Sequence, residues 1–380
     1  MTILMILTLA LVGCKTVAVE ATIETTTTVA SVSETTATAA ETTKVKGVIG
    51  YVPQSSFAGE TSLAYYKGTQ DAAEALGYEF VVVDPNFDGA KQVEIIENFL
   101  SQPDIVGLVV HPIDSKLIIA GVEKANQAGI PVVSNVSTVD GGKVVFTVTM
   151  DLNQVGQFAA EAMVKELEKK YGEPKGVVIS IGGPLSDMVS NGRGDGMNSV
   201  LSKYPNIKVI HRAADWNIPK AEAALRDLLT ANPDADGLLS YTDFYDDGLA
   251  GALTSLGKYI KRDEPGHIIW TSVDGMPDGL KRIKEGYMDA TADSACETYG
   301  QFSVKYLVDF INGKSVPELG DIIEEENATW SPAEVIESAS GPVMQLQSFL
   351  IDYNNVNDTN INLWGNHSYK VEGDKVVYGE

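Results

Sequence analysis

The residues with the widest chemical range in this sequence are two acids, a base and an indole in its second half: Asp243, Asp274, Arg193 and Trp216. Two carboxylates facing each other across a sugar would suit glycoside hydrolysis. Asn191, Arg193 and Thr242 add polar side chains, and Trp216 and Phe57 add flat apolar surfaces, a set that suits binding as well as catalysis. Asn135 and Ser137 add neutral donors and acceptors. Metal chemistry has little to start from. The histidines His111, His211, His267 and His367 are scattered, and Cys14 and Cys296 make neither a disulfide framework nor a zinc spacing. The chain has no G-x-G-x-x-G, no P-loop and no G-x-S-x-G, so no cofactor is expected.

These side chains share a position in the pattern of elements. Short β-branched runs alternate with amphipathic stretches from Val48 onward. Strands are expected at Val48–Val52, Phe80–Val83, Val106–Val110, Pro131–Ser134 and Val144–Thr149. Five more are expected at Val177–Ile181, Lys208–Arg212, Leu238–Ser240, Ile268–Ser272 and Ala290–Ala292. Helical periodicity marks Ser62–Leu76, Ala90–Leu100, Lys116–Ala128, Gln154–Lys170, Pro219–Thr230 and Gln301–Asn312. Such alternation means α/β with parallel sheets, either one barrel or two doubly wound sheets. Two features favour two sheets. A fresh round of similar units begins after Asp151, and the polar and aromatic residues above fall just past carboxyl ends of strands, where open α/β sheets bind ligands.

Composition narrows the class further. The 380 residues carry 28 Lys plus Arg against 52 Asp plus Glu, a net charge of −24 that repels phosphate backbones and argues against nucleic acid as a partner. The apolar run Ile3–Val12 is too short to span a bilayer and ends at Leu11-Val12-Gly13-Cys14, which resembles a bacterial lipobox. Residues 1–13 are then a signal peptide, and Cys14 is the lipidated residue. An ordinary secretory signal and an uncut anchor remain the alternatives. Residues 14–45, rich in Thr, Ala and Glu, read as a solvated tether to the membrane.

Tyr65-Tyr66-Lys67-Gly68, Ile105 through Pro112, Lys124 through Val133, Ala214-Asp215-Trp216 and Ser272 through Gly279 together resemble type I, ribose/galactose-type periplasmic sugar-binding proteins, the substrate-binding components of ABC transporters. The tail Asn354–Asp358 through Leu363–Asn366 resembles the end of many sugar-binding members. That resemblance implies two Rossmann-like lobes with parallel sheets, residues 46–149 plus 295–318 and 150–294 plus 344–366. Three crossovers join them, near Thr147–Asp151, near Asp293–Ala295 and before Gln347–Asp352. Residues 319–343 stand as an insert and 367–380 as a tail. It also implies that Asp274 accepts hydrogen bonds from sugar hydroxyls, that Trp216 lies against the ring with Phe57 facing it, and that Asn191 or Arg193 supplies the arginine place. Thr242, Asp243 and Ser294 fall at polar ligand positions. One departure stands out. Ribose-type members carry an Asp-Arg pair after the fourth strand, where Val136 and Ser137 stand here, so Asn135 and Ser137 are the expected neutral substitutes.

The implied function is a solute receptor, a monomer without enzymatic activity, that delivers a monosaccharide-sized ligand to ABC permease subunits. Rival readings are a sugar-modifying enzyme on the same scaffold and a receptor that presents its ligand to a signalling partner. A regulator of the lactose-repressor type would need DNA-binding helices where the lipobox and tether stand.

Overall fold

A computed structural model describes residues 45–55, 59–185, 187–373 and 375–379. The leader, the tether, Cys14 and Phe57 lie outside the described residues. The first round of elements is β1 (Val48–Val52), α1 (Glu60–Ala75), β2 (Glu79–Val82), α2 (Gly89–Leu100), β3 (Ile105–Val110), α3 (Ile119–Gln127), β4 (Val132–Asn135) and β5 (Thr147–Met150). The second begins with α4 (Leu152–Tyr171), β6 (Gly176–Gly182), α5 (Met188–Leu201), β7 (Ile207–Ala213) and α6 (Ile218–Ala231). It continues through β8 (Gly237–Ser240), α7 (Asp246–Ser255), β9 (Ile269–Asp274), α8 (Pro277–Glu285) and β10 (Ala290–Asp293). There follow α9 (Cys296–Ile311), β11 (Ile322–Ile323), β12 (Ala333–Glu337), β13 (Pro342–Leu346), β14 (Leu350–Asp352), β15 (Tyr369–Glu372) and β16 (Lys375–Tyr378).

The strands make two sheets with the same internal order. One runs β2-β1-β3-β4-β5 and the other β7-β6-β8-β9-β10, all parallel over those strands. This is the doubly wound 2-1-3-4-5 arrangement, so each sheet has a switch point between its first and third strands. The near-continuous apolar runs of β3, β4 and β8 are fully or almost fully buried, as helices on both faces require. The chain passes between lobes after β5, after β10 and at residues 347–349, ahead of β14, which pairs antiparallel with β10.

The segment expected as an insert belongs to the first sheet. β13 pairs parallel with β5, and β12 and β11 add an antiparallel ribbon beyond it. Residues 342–346 therefore cover the β5 edge instead of starting the second lobe. The short apolar repeats Val335, Val343, Met344 and Leu346, all buried, are what bind this ribbon to the core. The tail also folds back. After a turn against α8 it forms the β15–β16 hairpin, where Val376 N donates to Gln70 Oε1 of α1 (3.2 Å) and Tyr369 Oη to Glu297 Oε1 of α9 (2.8 Å).

Glycine decides how closely two helix pairs approach. A Cβ at Gly68 in α1 would collide with the Glu297 carbonyl of α9, and one at Gly156 in α4 with the Arg193 carbonyl of α5. The second contact explains α5, which its three glycines hide from helical periodicity. Tertiary packing against α4 overrides the weak local propensity. Among the described residues no helix is long and apolar enough to cross a membrane.

Candidate functional site

Both switch points open onto one cavity of about 250 Å³ between the lobes. From the first lobe, the loop after β1 supplies Gln54 and the start of α1 supplies Thr61, Ser62 and Tyr65. Phe87, His111 and Val136 follow β2, β3 and β4. From the second lobe come Asp187 and Val189 at the start of α5, Arg193 one turn on, Trp216 after β7, Thr242 and Phe244 after β8, and Asp274 at the end of β9. The cleft is closed. Gly59, before α1, packs so close to the Phe244 ring that an added Cβ would sit 2.7 Å from it. The Thr138 hydroxyl donates to Met188 Sδ (3.8 Å) across the rim.

The electrostatic centre is a buried ion pair. Arg193 Nη2 donates to Asp274 Oδ1 (2.5 Å), and Nη1 donates to the Tyr241 carbonyl (2.6 Å) and, at 3.4 Å, to Asp274 Oδ2. Thr242 Oγ1 donates to Asp274 Oδ2 (2.5 Å) and Ser294 Oγ to Oδ1 (3.0 Å). Burial works against the Arg193 charge, and the Asp274 carboxylate more than offsets it. Asp274 sits at φ 116°, a region a non-glycine residue adopts only when its surroundings hold it there. Its carbonyl accepts from Trp364 Nε1 (2.9 Å), completing that restraint.

Trp216 is held as firmly. Asp215 and Trp216 are both left-handed (φ 54° and 50°), Trp216 N donates to Tyr245 Oη (2.9 Å), and the indole Nε1 donates to Asp187 Oδ2 (3.0 Å). Asp187 in turn caps α5 by accepting from Ser190 N (2.9 Å). The indole thus lines the cavity in one orientation. Burial holds the His111 imidazole neutral, its pKa pushed down to about 3, and its Nε2 has no hydrogen-bond partner.

Of the expected ligand residues, Arg193, Trp216, Thr242 and Asp274 line the cavity. Asn191 is exposed and donates to the Leu185 carbonyl (3.1 Å), because two residues along a helix rotate it about 200° from Arg193. Asn135 and Ser137 are buried away from the cavity. Val136 adopts φ 62°, and Ser137 N donates back to the Asn135 carbonyl (2.7 Å), a tight turn that presents Val136 and withdraws its neighbours. Asp243 lies behind the wall, accepting from Met276 N (2.9 Å) and Thr291 Oγ1 (2.9 Å). Burial and the nearby Asp274 charge push its pKa up to about 7. Ser294 reaches Asp274 but does not line the cavity. Asp274 lines the cavity with a carboxylate that already accepts from Arg193, Thr242 and Ser294, and these bonds orient Arg193 and Thr242 there.

Gln54, His111 and Asp187 were not singled out as ligand residues in the sequence, although each follows a strand's carboxyl end like the residues that were. Phe244 follows β8 in the same way, while Tyr65 carries no such mark, since helix α1 places it.

Comparison with known proteins agrees with this geometry. The ribose import binding protein of Bacillus subtilis is 28% identical over 252 residues, 66% of this chain and 77% of that protein. The D-allose-binding periplasmic protein of Escherichia coli is 27% identical over 262 residues, 66% of this chain and 81% of its own length. Among solved structures, an ABC transporter solute binding protein from Mycobacterium smegmatis with bound glycerol superposes with a TM-score of 0.67 at 25% identity, covering 82% of this chain and 95% of that one. The family described as the periplasmic binding protein domain matches residues 47–315. Two like-ordered parallel sheets, three crossovers and a cavity at both switch points are the architecture of that family, and the chain belongs to it.

Proposed function

We propose that the chain is a solute receptor that closes its two lobes around one monosaccharide-sized ligand and delivers it, unchanged, to an ABC permease in the membrane. The observation that carries this reading is the cavity itself, in which the Arg193–Asp274–Thr242 cluster and the clamped Trp216 offer hydroxyl partners beside a flat apolar surface. The relatives named for ribose and allose lend the substrate class. Against a glycosidase, the carboxylates of the cavity wall, Asp187 and Asp274, come from one lobe, whereas that chemistry needs acids on opposite sides of the ligand.

Anchorage through a lipid on Cys14 belongs to the same proposal, as does a monomeric state, since a receptor that must meet its permease at the surface gains from being tethered there. A thermal-shift screen of pentoses, hexoses and polyols tests binding, because ligand at 100 times its Kd stabilises by about 2.7 kcal/mol. Mass spectrometry of the hit after long incubation tests conversion. Recovery of unchanged ligand is expected, and steady product release overturns the reading. Cys14→Ser is expected to shift the protein from the membrane to the soluble fraction. Retention on the membrane overturns the lipid anchor.

A further inference from the structure

Four residues of the cavity wall, Phe87, Val136, Trp216 and Asp274, have positive φ, and Val136 is the β-branched one. A β-branched side chain at φ 62° is a genuine outlier, since the left-handed region is natural to glycine and tolerated by asparagine or aspartate. Asn135 stands immediately before it and Ser137 after it, so a one-residue shift of the turn would have brought a polar side chain to the cavity. The turn is instead locked on valine. Val136 N donates to the Val148 carbonyl (2.8 Å), and its own carbonyl accepts from Thr149 Oγ1 (2.5 Å). Backbone strain maintained at a ligand-facing position points to what that side chain contacts.

The rest of the first-lobe wall is uncharged among the described residues. Its partnerless polar nitrogen is His111 Nε2, held neutral by burial, and Tyr65 meets the His111 ring edge-on at 5.5 Å. The charged groups lining the cavity, Asp187, Arg193 and Asp274, all belong to the second lobe. The cavity therefore has a polar side and an apolar corner at Val136. A ligand hydroxyl set against that corner would lose its water and find no partner.

We infer that the ligand is a neutral deoxy monosaccharide whose methyl or methylene group packs on Val136, and that Val136 determines the preference for it over the fully hydroxylated parent sugar. This rests on the sugar-receptor reading and names the substrate class within it. The hydroxylated edge of the ring faces Arg193 and Thr242, and one hydroxyl pairs with His111 Nε2. An apolar contact rejects an added hydroxyl by about 10²-fold at most, which sets the scale of the expected selectivity.

The test is calorimetric titration of the full chain with matched pairs: L-rhamnose and L-mannose, L-fucose and L-galactose, 2-deoxy-D-ribose and D-ribose. Among the pairs that bind, the deoxy member is expected to bind 10- to 100-fold tighter. Val136→Asn, a residue that tolerates the left-handed turn, is expected to reduce that ratio to threefold or less with its melting temperature retained. Val136→Ala, which removes the contact without offering a hydroxyl partner, is expected to weaken the deoxy sugar and leave its parent unchanged. Equal or tighter binding of the parents, or a ratio untouched by both variants, overturns the inference and leaves the sugar receptor standing. Absence of binding by every sugar in the pairs overturns the inference, and only absence of binding across the whole screen of pentoses, hexoses and polyols overturns the receptor reading as well.

Discussion

Closing the cleft buries an acid among acids. Glu60, the first residue of α1, is half-buried, with its Oε2 shielded from solvent and without a hydrogen-bond partner. Across the cleft stand Asp278 of α8 and Asp247 of α7, the latter paired with Arg282 (2.5 Å). Burial first, then the Asp278 and Asp247 charges, push the Glu60 carboxyl from its ordinary 4.5 up to about 7. In an open cleft Glu60 would face water and keep its ordinary value, so closure takes up a proton. The closed, ligand-holding state is then fully favoured below the ordinary value and loses that advantage as pH rises through about 7. The full displacement would correspond to more than two decades in affinity. Solvent reaches much of the side chain, so roughly one decade between pH 5.5 and 8 is the expected effect. Asp243 and Asp246 also have raised values, but each is buried within the second lobe and keeps its surroundings when the cleft opens. Titration of the screened ligand from pH 5.5 to 8 should show Kd weakening about tenfold in the wild type. Glu60→Gln should bind with the acid-side affinity throughout. A Glu60→Gln protein that keeps the wild-type slope would refute the argument.

Three further outcomes follow from the same geometry. Asp274→Ala strands the buried Arg193 guanidinium, so urea denaturation should show a loss of about 3–5 kcal/mol, whereas the Arg193→Met, Asp274→Leu double variant should recover most of it. Trp216→Phe keeps an aromatic surface but drops the bond to Asp187, and calorimetry should show about a tenfold weaker sugar complex. Gly156→Val drives a side chain into the Arg193 carbonyl, which should lower stability by about 1–3 kcal/mol and weaken ligand binding through the displaced α5.

The strands that carry the site are legible because they are short, largely apolar runs buried on both faces. β1, β3, β4, β6 and β8 fall within a residue or two of their sequence-read positions. Helix α5 escapes the sequence reading for a physical reason. Gly192, Gly194 and Gly196 interrupt the pattern of α5, and the tight crossing with α4 needs glycine there. The ribbon β11–β12 is acidic and short, so it resembles a loop until its pairing with β13 is known. At the site, side chains on strand ends are readable, but their direction is not. The turn at Val136 reverses the roles of Asn135 and Ser137, and helical phase alone separates Arg193 from Asn191. Asp243 and Ser294 have the right chemistry in the right place, yet they support the wall from behind.

The return of the chain to its first lobe governs when that lobe can be finished. β5, made at residues 147–150, waits for β13 at 342–346, and Gln70 of α1 waits 306 positions for its partner at Val376. As the chain emerges N-terminus first, the second lobe's parallel strands β6 to β10 follow in unbroken succession, while the first keeps an unpaired edge at β5. Pairings this distant in sequence slow folding, and a waiting strand edge invites association with other chains. Holdase protection should therefore matter most until residues 342–346 have emerged, and it should act on the lobe that was begun first.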